Sequence, residues 1–123
     1  MVGKITIWED RVPRLGLLTA WQLRRIEQFV ADNIATVIRS RDLANLTGLS
    51  HGYFCQVFRH TTGETPLTYV IRCRVEHAQA LMRATDRPLA EIALDCGLAD
   101  QAYLTRLFQR RLGMPPATWR RSQ

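Results

Sequence analysis

Small and hydrogen-bonding side chains cluster in two stretches of the chain that lie 50 residues apart. The strongest candidates for chemistry are Gln56, Gln101, Thr105 and Arg106, and weaker ones lie beside them: His51, Gly52, Cys55 and Ala102. A glutamine amide can pair with N6 and N7 of adenine, and an arginine guanidinium with O6 and N7 of guanine. Gln56 and Arg106 hold matching places, so the two stretches would suit different bases if they meet double-stranded DNA, although by themselves such side chains are also typical of a solvated helix face. Since Gly52 has no side chain, the first stretch would depend more on phosphate contacts and DNA shape.

Arginine dominates the basic residues of the chain. Of the 17 basic residues only Lys4 is a lysine, and the formal net charge is +6. The planar fork of arginine suits phosphates and guanine edges, so this bias favours a polyanionic partner. Helix N-termini expected near Ser50 and Asp100 would offer N–H groups to phosphates. The arginines expected to assist are Arg41, Arg59, Arg72, Arg110, Arg111 and Arg120, each of which could also be an ordinary solvated side chain.

The sequence offers no support for catalytic, cofactor or metal chemistry. The three histidines and three cysteines show no zinc-ligand spacing, and the common nucleotide-binding and hydrolase motifs are missing. Glu91 and Asp95 lie at i and i+4, a spacing far commoner for a helix-surface pair beside arginines than for catalytic carboxylates. Cys55 could equally be a small side chain that fills space in the protein or a contact to DNA. We therefore expect no enzyme activity, no cofactor and no metal. The odd number of cysteines and the lack of a long apolar run lead us to expect a cytoplasmic protein without membrane contact.

An internal repeat predicts the elements that would position these side chains. Leu43-Ala44 and Gly48-Leu49 recur 49 residues later as Ile92-Ala93 and Gly97-Leu98, while Phe58, Gly63, Pro66 and Tyr69 recur 50 residues later as Phe108, Gly113, Pro116 and Trp119. Each copy predicts a helix, a turn and a second helix, because the alanine permits close packing and the glycine can adopt the left-handed conformation. The apolar residues of each second helix fall at i, i+3 and i+4. The candidate base contacts then occupy the opposite face, as in a helix that enters a major groove.

Capping residues and prolines predict the helix boundaries. We expect N-caps at Ser40, Ser50, Asp86 and Asp100, and helix ends at Gly63 and Gly113. Thr19 predicts a helix from Ala20 to about residue 33, with its inward face formed by Trp21, Leu23, Ile26, Phe29 and Val30. Pro66 and Pro116 predict the starts of a long linker helix and of a last short helix.

The predicted fold is all-α, with two helix-turn-helix subdomains joined by a long linker helix and about seven helices in total. The expected divisions are an irregular arm at 1–18, the first subdomain at 19–65, the linker helix at 66–84 and the second subdomain at 85–123. The linker helix also carries Arg74, which could either contact DNA or pair with a carboxylate such as Asp95 and hold the subdomains together.

The same residues carry a family resemblance over roughly 19–121. They are Asp42-Leu43-Ala44, Gly48-Leu49-Ser50, Tyr53-Phe54, Phe58-Arg59, Gly63, Pro66, Tyr69, Arg74, Ala78 and Leu81, followed by Ile92-Ala93, Gly97-Leu98, Phe108, Gly113, Pro115-Pro116 and Trp119-Arg120. This pattern resembles the DNA-binding domain of AraC/XylS-type transcription regulators. The short arm is similar to the stand-alone MarA and SoxS kind, although a domain of a longer regulator would show the same pattern. The chain departs from many members in having Gln56 where they place a basic residue.

The resemblance implies a bacterial, nucleoid-associated transcription regulator that binds double-stranded DNA as a monomer. Activation is implied more often than repression, with RNA polymerase as a partner. Two alternatives stay open on the residues alone. One is a protein-interaction module that contacts polymerase and binds DNA only non-specifically, and the other is a non-specific nucleoid-type DNA binder.

Overall fold

The computed structural model describes residues 16–123, and this part of the chain forms seven α-helices. In chain order they are α1 (Ala20–Asp32), α2 (Ser40–Thr47), α3 (His51–Thr62), α4 (Pro66–Ala84), α5 (Leu89–Asp95), α6 (Gln101–Leu112) and α7 (Pro116–Arg121). Residues 16–123 contain no strand, so the predicted all-α class is confirmed. The arm predicted at 1–18 lies outside the described residues as far as residue 15. No helix within the described range is both long and apolar enough to cross a membrane.

Side-chain caps begin several of the helices, among them α1, α3 and α6. Thr19 and Gln22 form a reciprocal capping box at the start of α1, with hydrogen bonds of 2.9 and 3.0 Å. Ser50 accepts from the Tyr53 N–H at the start of α3, and Asp100 accepts from the Tyr103 N–H at the start of α6. Gly63 and Gly113, with φ of 83° and 77°, end α3 and α6. These predicted boundaries are therefore confirmed.

Two other predicted caps are wrong. Ser40 is the first helical residue of α2, and Arg39 holds the N-cap position. The N–H of Arg39 donates to the Asp42 carboxylate at 2.9 Å. In the second unit, Pro88 is the N-cap of α5, which places Asp86 two residues too early to cap it. Proline disfavours helical backbone at the residue before it, so the helix cannot extend back to Arg87.

Two hydrophobic cores lie on either side of the linker helix α4. Phe54, Phe58 and Val70 belong to the first core, which α1, α2 and α3 complete. Val75 and Met82, from the later part of α4, belong to the second core with α5, α6 and α7. The linker helix is therefore a structural part of both subdomains.

Each core is closed by an aromatic pair at repeated positions. Phe58 meets Tyr69 with ring centroids 5.3 Å apart, and Phe108 meets Trp119 at 5.9 Å, both at an interplanar angle of 75°. Edge-to-face geometry of this kind adds about 0.5–1.5 kcal/mol beyond the burial of the rings. The aromatic positions of the sequence repeat thus have the same packing role in both units.

The prediction that Trp21 faces inward is wrong, since 56% of this residue is exposed. Ile26 and Val30 are buried on the core face of α1, and Leu23 lies beside them half-buried. Trp21 precedes Val30 by nine residues, which at 3.6 residues per turn places it about 180° around the helix. The Arg25 guanidinium instead lies over the Trp21 ring, with its carbon 5.0 Å from the ring centroid.

Candidate nucleic-acid interface

The first candidate face lies on α3 and points away from the first core. Phe54, Val57 and Phe58 bury one side of the helix. The opposite side presents Gly52, Gln56 and Arg59 as exposed residues and His51 and Cys55 as half-buried ones. The structure therefore brings the predicted residues of the first stretch onto one accessible helix face.

The turn before α3 fixes how this face is presented. Gly48 ends α2 with φ of 77°, a conformation that favours glycine. The Thr47 hydroxyl donates to the Ala44 carbonyl at 2.7 Å and accepts from the Leu49 N–H at 3.3 Å. His51 Nε2 lies 2.5 Å from the Ser40 hydroxyl. This bond ties α3 to α2 and leaves only Nδ1 of His51 for a ligand, a role that the sequence did not reveal.

The second candidate face lies on α6 and is built in the same way. Leu104, Leu107 and Phe108 bury its core side. Gln101, Ala102 and Arg106 are exposed on the other side, and Thr105 is half-buried beside them. The Thr105 hydroxyl donates to the Gln101 carbonyl at 3.0 Å, so its lone pairs remain as acceptors.

Arg106 is partly preorganised on its own helix. Its guanidinium carbon lies 5.5 Å from the centroid of the Tyr103 ring, in the range of a cation–π contact. Such a contact at an exposed site is worth about 0.5–1 kcal/mol and leaves all five N–H donors of the fork available. Arg106 is therefore held over the helix surface with its hydrogen-bonding capacity intact.

The N-termini of α3 and α6 each present N–H groups without an acceptor inside the helix. These belong to residues 51 and 52 in α3 and 101 and 102 in α6, because the first turn has no preceding carbonyl to bond. The helix dipole favours an anion at such an end. At α6 the Asp100 carboxylate already accepts a hydrogen bond from the Tyr103 N–H and brings a negative charge to the helix N-terminus. Any phosphate contact there would come from the N–H groups of residues 101 and 102 and not from the Asp100 side chain.

The arginines predicted to contact phosphate fall into two groups. Arg59 and Arg110 are exposed, and within residues 16–123 neither makes an ion pair or side-chain hydrogen bond. Arg72 instead forms ion pairs with Glu64 at 2.6 Å and Glu76 at 3.1 Å, and these carboxylates raise the pKa of its guanidinium. The first group is free to bind a phosphate, whereas Arg72 stabilises α4.

Arg111 and Arg120 also make contacts within the protein. Arg120 donates to the carbonyls of Met82, Thr85 and Arg87 at 2.8–3.4 Å, and so docks α7 onto the C-terminal end of α4. Arg111 donates to the Thr68 carbonyl at 3.4 Å, which joins α6 to the early part of α4. Both side chains position the second subdomain.

Arg74 takes the subdomain-bridging role, but with a different partner from the one suggested by the sequence. It donates to the carbonyls of Thr36 and Gly97, and Asp95 pairs instead with Arg87. Arg87 also pairs with Glu91 at 3.4 Å, which makes Glu91 and Asp95 a helix-surface pair beside an arginine. Helical spacing predicts which side chains are neighbours on one helix. It cannot predict the carbonyls bonded to Arg74, because they belong to two turns that are distant in the sequence.

The cysteines of the two cores are poor nucleophiles. Burial raises the pKa of Cys96 to about 11, and burial also raises the pKa of Cys73 above its ordinary value. Both are therefore thiols at neutral pH. No group of three or more His, Cys, Asp and Glu side chains in the described part of the chain could hold a metal ion.

Comparison with known proteins places this arrangement among regulators. The family model described as a helix-turn-helix domain matches residues 43–122. The activator RhaR of Klebsiella pneumoniae is 42% identical over 65 residues, covering 53% of this chain and 23% of RhaR. The probable transcriptional regulator LumQ of Photobacterium leiognathi is 27% identical over 111 residues, covering 90% of this chain and 42% of LumQ. A putative AraC-like regulator of Streptomyces lividans is 36% identical over 65% of this chain and 26% of its own length. The chain thus spans between about a quarter and two fifths of the length of these curated relatives.

Solved structures agree in fold. The DNA-binding domain of AdpA, crystallised with a target DNA, superposes with a TM-score of 0.75 at 30% identity, covering 82% of this chain and 91% of that domain. The C-terminal domain of AraT from Geobacillus stearothermophilus gives 0.76 at 23% identity over 88% of this chain and 89% of its own. The latter likeness concerns the fold alone.

Proposed function

This chain belongs to the AraC-type helix-turn-helix family of transcription regulators, and from that premise we propose that it binds a specific double-stranded DNA site. In the proposed complex α3 and α6 enter successive major-groove segments on one face of the duplex. The observation that carries the proposal is the duplicated helix-turn-helix unit, with an accessible polar face on each second helix. The two units share α4, whose 19 residues span roughly 28 Å at ~1.5 Å each. That length is close to the roughly 34 Å of one DNA turn.

We assign base-edge contacts to exposed and half-buried residues of the two faces. Gln56 in α3 and Arg106 in α6 are the main readers, with Gln101 and Thr105 beside Arg106. Phosphate contacts are assigned to Arg59, Arg110 and the N-termini of α3 and α6. Arg72, Arg111 and Arg120 are left out of this set because their guanidinium groups already bind protein carboxylates or carbonyls.

Selection of bound sites from a random-duplex pool near physiological salt tests the proposal directly. The expected product is an asymmetric motif with two half-elements about one helical turn apart, because one chain presents two unlike faces. A complex of one chain per duplex would agree with the proposed monomer. No enrichment over scrambled DNA would contradict specific binding and favour an interaction module with non-specific DNA affinity.

Replacing Arg106 with alanine should weaken binding to the selected site by about 1–3 kcal/mol and relax the base preference at one position. Arg110→Ala should instead weaken binding to the selected and scrambled duplexes alike, because a phosphate contact carries no sequence information. Binding isotherms on both duplexes measure the difference, and Arg24→Ala on the remote helix α1 is the control. Equal losses on both duplexes for Arg106→Ala would show that this residue reads no base.

The affinity for the selected site should fall steeply with salt. The two charged phosphate contacts, Arg59 and Arg110, would give a slope of about −2 in log affinity against log salt, at roughly −0.9 per neutralised phosphate, because the uncharged N–H groups at the helix N-termini displace few counterions. Titrations between low and physiological salt measure the slope, and Arg59→Ala should make it shallower by about one unit. A nearly flat response would contradict a phosphate-binding interface.

We further propose that the bound protein activates transcription at the bacterial nucleoid by contacting RNA polymerase. Support comes from RhaR, a relative that is named as a transcriptional activator. Transcription in vitro from a template bearing the selected site, with purified bacterial polymerase, tests this role. Increased transcript supports activation, and decreased transcript would identify a repressor.

A further inference from the structure

Arg74 connects the two helix-turn-helix units across the linker helix. Its Nη2 donates to the Thr36 carbonyl at 2.5 Å, in the segment between α1 and α2. Its Nη1 donates to the Gly97 carbonyl at 3.1 Å, in the turn between α5 and α6. One guanidinium therefore joins a loop of the first unit to the turn that sets the direction of α6.

Both acceptors of Arg74 lie in turns that are fixed by their own hydrogen bonds. The Asn33 side chain donates to the Phe29 carbonyl at 2.8 Å, and the N–H and hydroxyl of Thr36 both donate to the Asn33 carbonyl at 2.9 Å. In the other turn, the N–H of Gly97 donates to the Leu94 carbonyl at 3.0 Å and that of Leu98 to Ala93 at 2.9 Å. The fork of Arg74 is thus bound to two well-defined points and cannot tilt without losing a bond.

The electrostatics of the position suit a cation. Both turns follow the C-terminal ends of helices, α1 and α5, where unpaired carbonyls carry partial negative charge. Burial lowers the pKa of Arg74 from its ordinary value, yet arginine remains charged at any physiological pH. No carboxylate within residues 16–123 forms an ion pair with Arg74, so its bonding is directed at the two backbone carbonyls.

Gly97 shows that the two units also touch directly. A Cβ added at this residue would overlap the Ile34 carbonyl oxygen and lie 3.0 Å from Cζ of Arg74. Gly48 occupies the equivalent place in the first unit with the same φ of 77°, and a Cβ there would meet no atom of residues 16–123 within 4 Å. The close approach is therefore a property of the contact between the units and not of the repeated turn.

We propose that Arg74 is a positioning residue that sets the separation and relative rotation of α3 and α6, and thereby the spacing of half-elements that the protein accepts. This inference rests on the proposed function, because it concerns how the two recognition helices are used together. A rigid bridge would make binding sharply dependent on spacing, since each added base pair moves one half-element by about 3.4 Å and turns it by about 34°.

The test uses the selected duplex and derivatives in which the two half-elements are moved by one or two base pairs in either direction. Binding by the described chain should weaken at least about 10-fold for a change of one base pair, as expected when one half-element loses its contacts. For Arg74→Met this penalty should fall to about 3-fold or less, with affinity for an isolated half-element unchanged. Arg74→Lys retains the charge and the aliphatic stem but not the two-pronged fork, so it should also flatten the profile.

Arg72→Met is the matched control, because it removes an arginine from the same helix whose partners lie in α4 and the loop before it. Its spacing profile should keep the shape of the unmodified chain, whatever its overall affinity. An unchanged profile for Arg74→Lys, or equal flattening by Arg72→Met, would overturn the inference. A flat profile for the unmodified chain would also overturn it while leaving specific binding intact, whereas failure to select any site would refute the proposed function itself.

Thermal unfolding of each variant sets an assay temperature well below its midpoint, and Arg74→Lys decides the test where Arg74→Met does not fold.

Discussion

Replacing Phe108 with alanine is expected to lower the free energy of unfolding by about 3–5 kcal/mol. The Phe108 side chain is fully buried in the second core, where its ring meets Trp119 edge-to-face. Truncation removes both the transfer free energy of the ring and the contacts that line the resulting cavity. Since the free energy of unfolding of a whole domain is only about 5–15 kcal/mol, this one change would remove a large fraction of it.

Denaturant titration followed by far-ultraviolet circular dichroism measures this loss. Leu94→Ala, on the neighbouring helix α5, is the control, because 60% of Leu94 is exposed and its truncation should cost less than about 0.5 kcal/mol. Phe58→Ala should resemble Phe108→Ala, since Phe58 is equally buried and packs against Tyr69. A loss below about 1 kcal/mol for Phe108→Ala would show that α6 does not seat on the core as described.

The sequence predicted the parts of the fold that local rules determine. Ser50 and Asp100 cap α3 and α6 as expected, and Gly63 and Gly113 end them, because capping and left-handed turns depend on a few adjacent residues. The repeat also predicted that Phe58 and Phe108 would face the cores. Residues on the opposite face followed from the same periodicity, and the structure shows them exposed or half-buried.

Errors arose where one local rule competed with another. Ser40 is a favourable capping residue, but the pairing of the Arg39 N–H with Asp42 begins α2 one residue earlier. Asp86 could cap a helix that started at once, but Pro88 delays the start to Leu89. For Trp21, hydrophobicity suggested burial although helical geometry placed it opposite Val30. The capping and periodicity signals needed for these corrections were present in the sequence.

The interface between the two units could not be predicted in this way. Arg74 is bonded to the carbonyls of Thr36 and Gly97, which are 38 and 23 residues away in the chain. A backbone carbonyl has no identity in the sequence, so no residue type marks it as an acceptor. For the same reason the sequence did not reveal the bonds that Arg111 and Arg120 donate to backbone carbonyls.

Replacing Gly97 with alanine should lower the free energy of unfolding by about 2–5 kcal/mol, the second large effect that we expect. About 1–2 kcal/mol comes from placing a side chain on backbone in the left-handed region. A further 1–3 kcal/mol, roughly, comes from displacing the Ile34 carbonyl and the guanidinium of Arg74, which a Cβ would crowd. The second part arises only from the contact between the two units.

Gly48→Ala separates these two contributions, because Gly48 has the same φ of 77° and open space around the position of a Cβ among residues 16–123. It should cost only the backbone part, about 1–2 kcal/mol. The difference between the two variants, measured by denaturant titration under identical conditions, therefore isolates the steric contact between the units. A difference near zero would mean that the loop after α1 and the turn before α6 are not held together in solution, and Arg74 could not then fix the spacing of α3 and α6. A difference of about 1–3 kcal/mol would establish a stabilising contact at the point where the bridge is proposed to act.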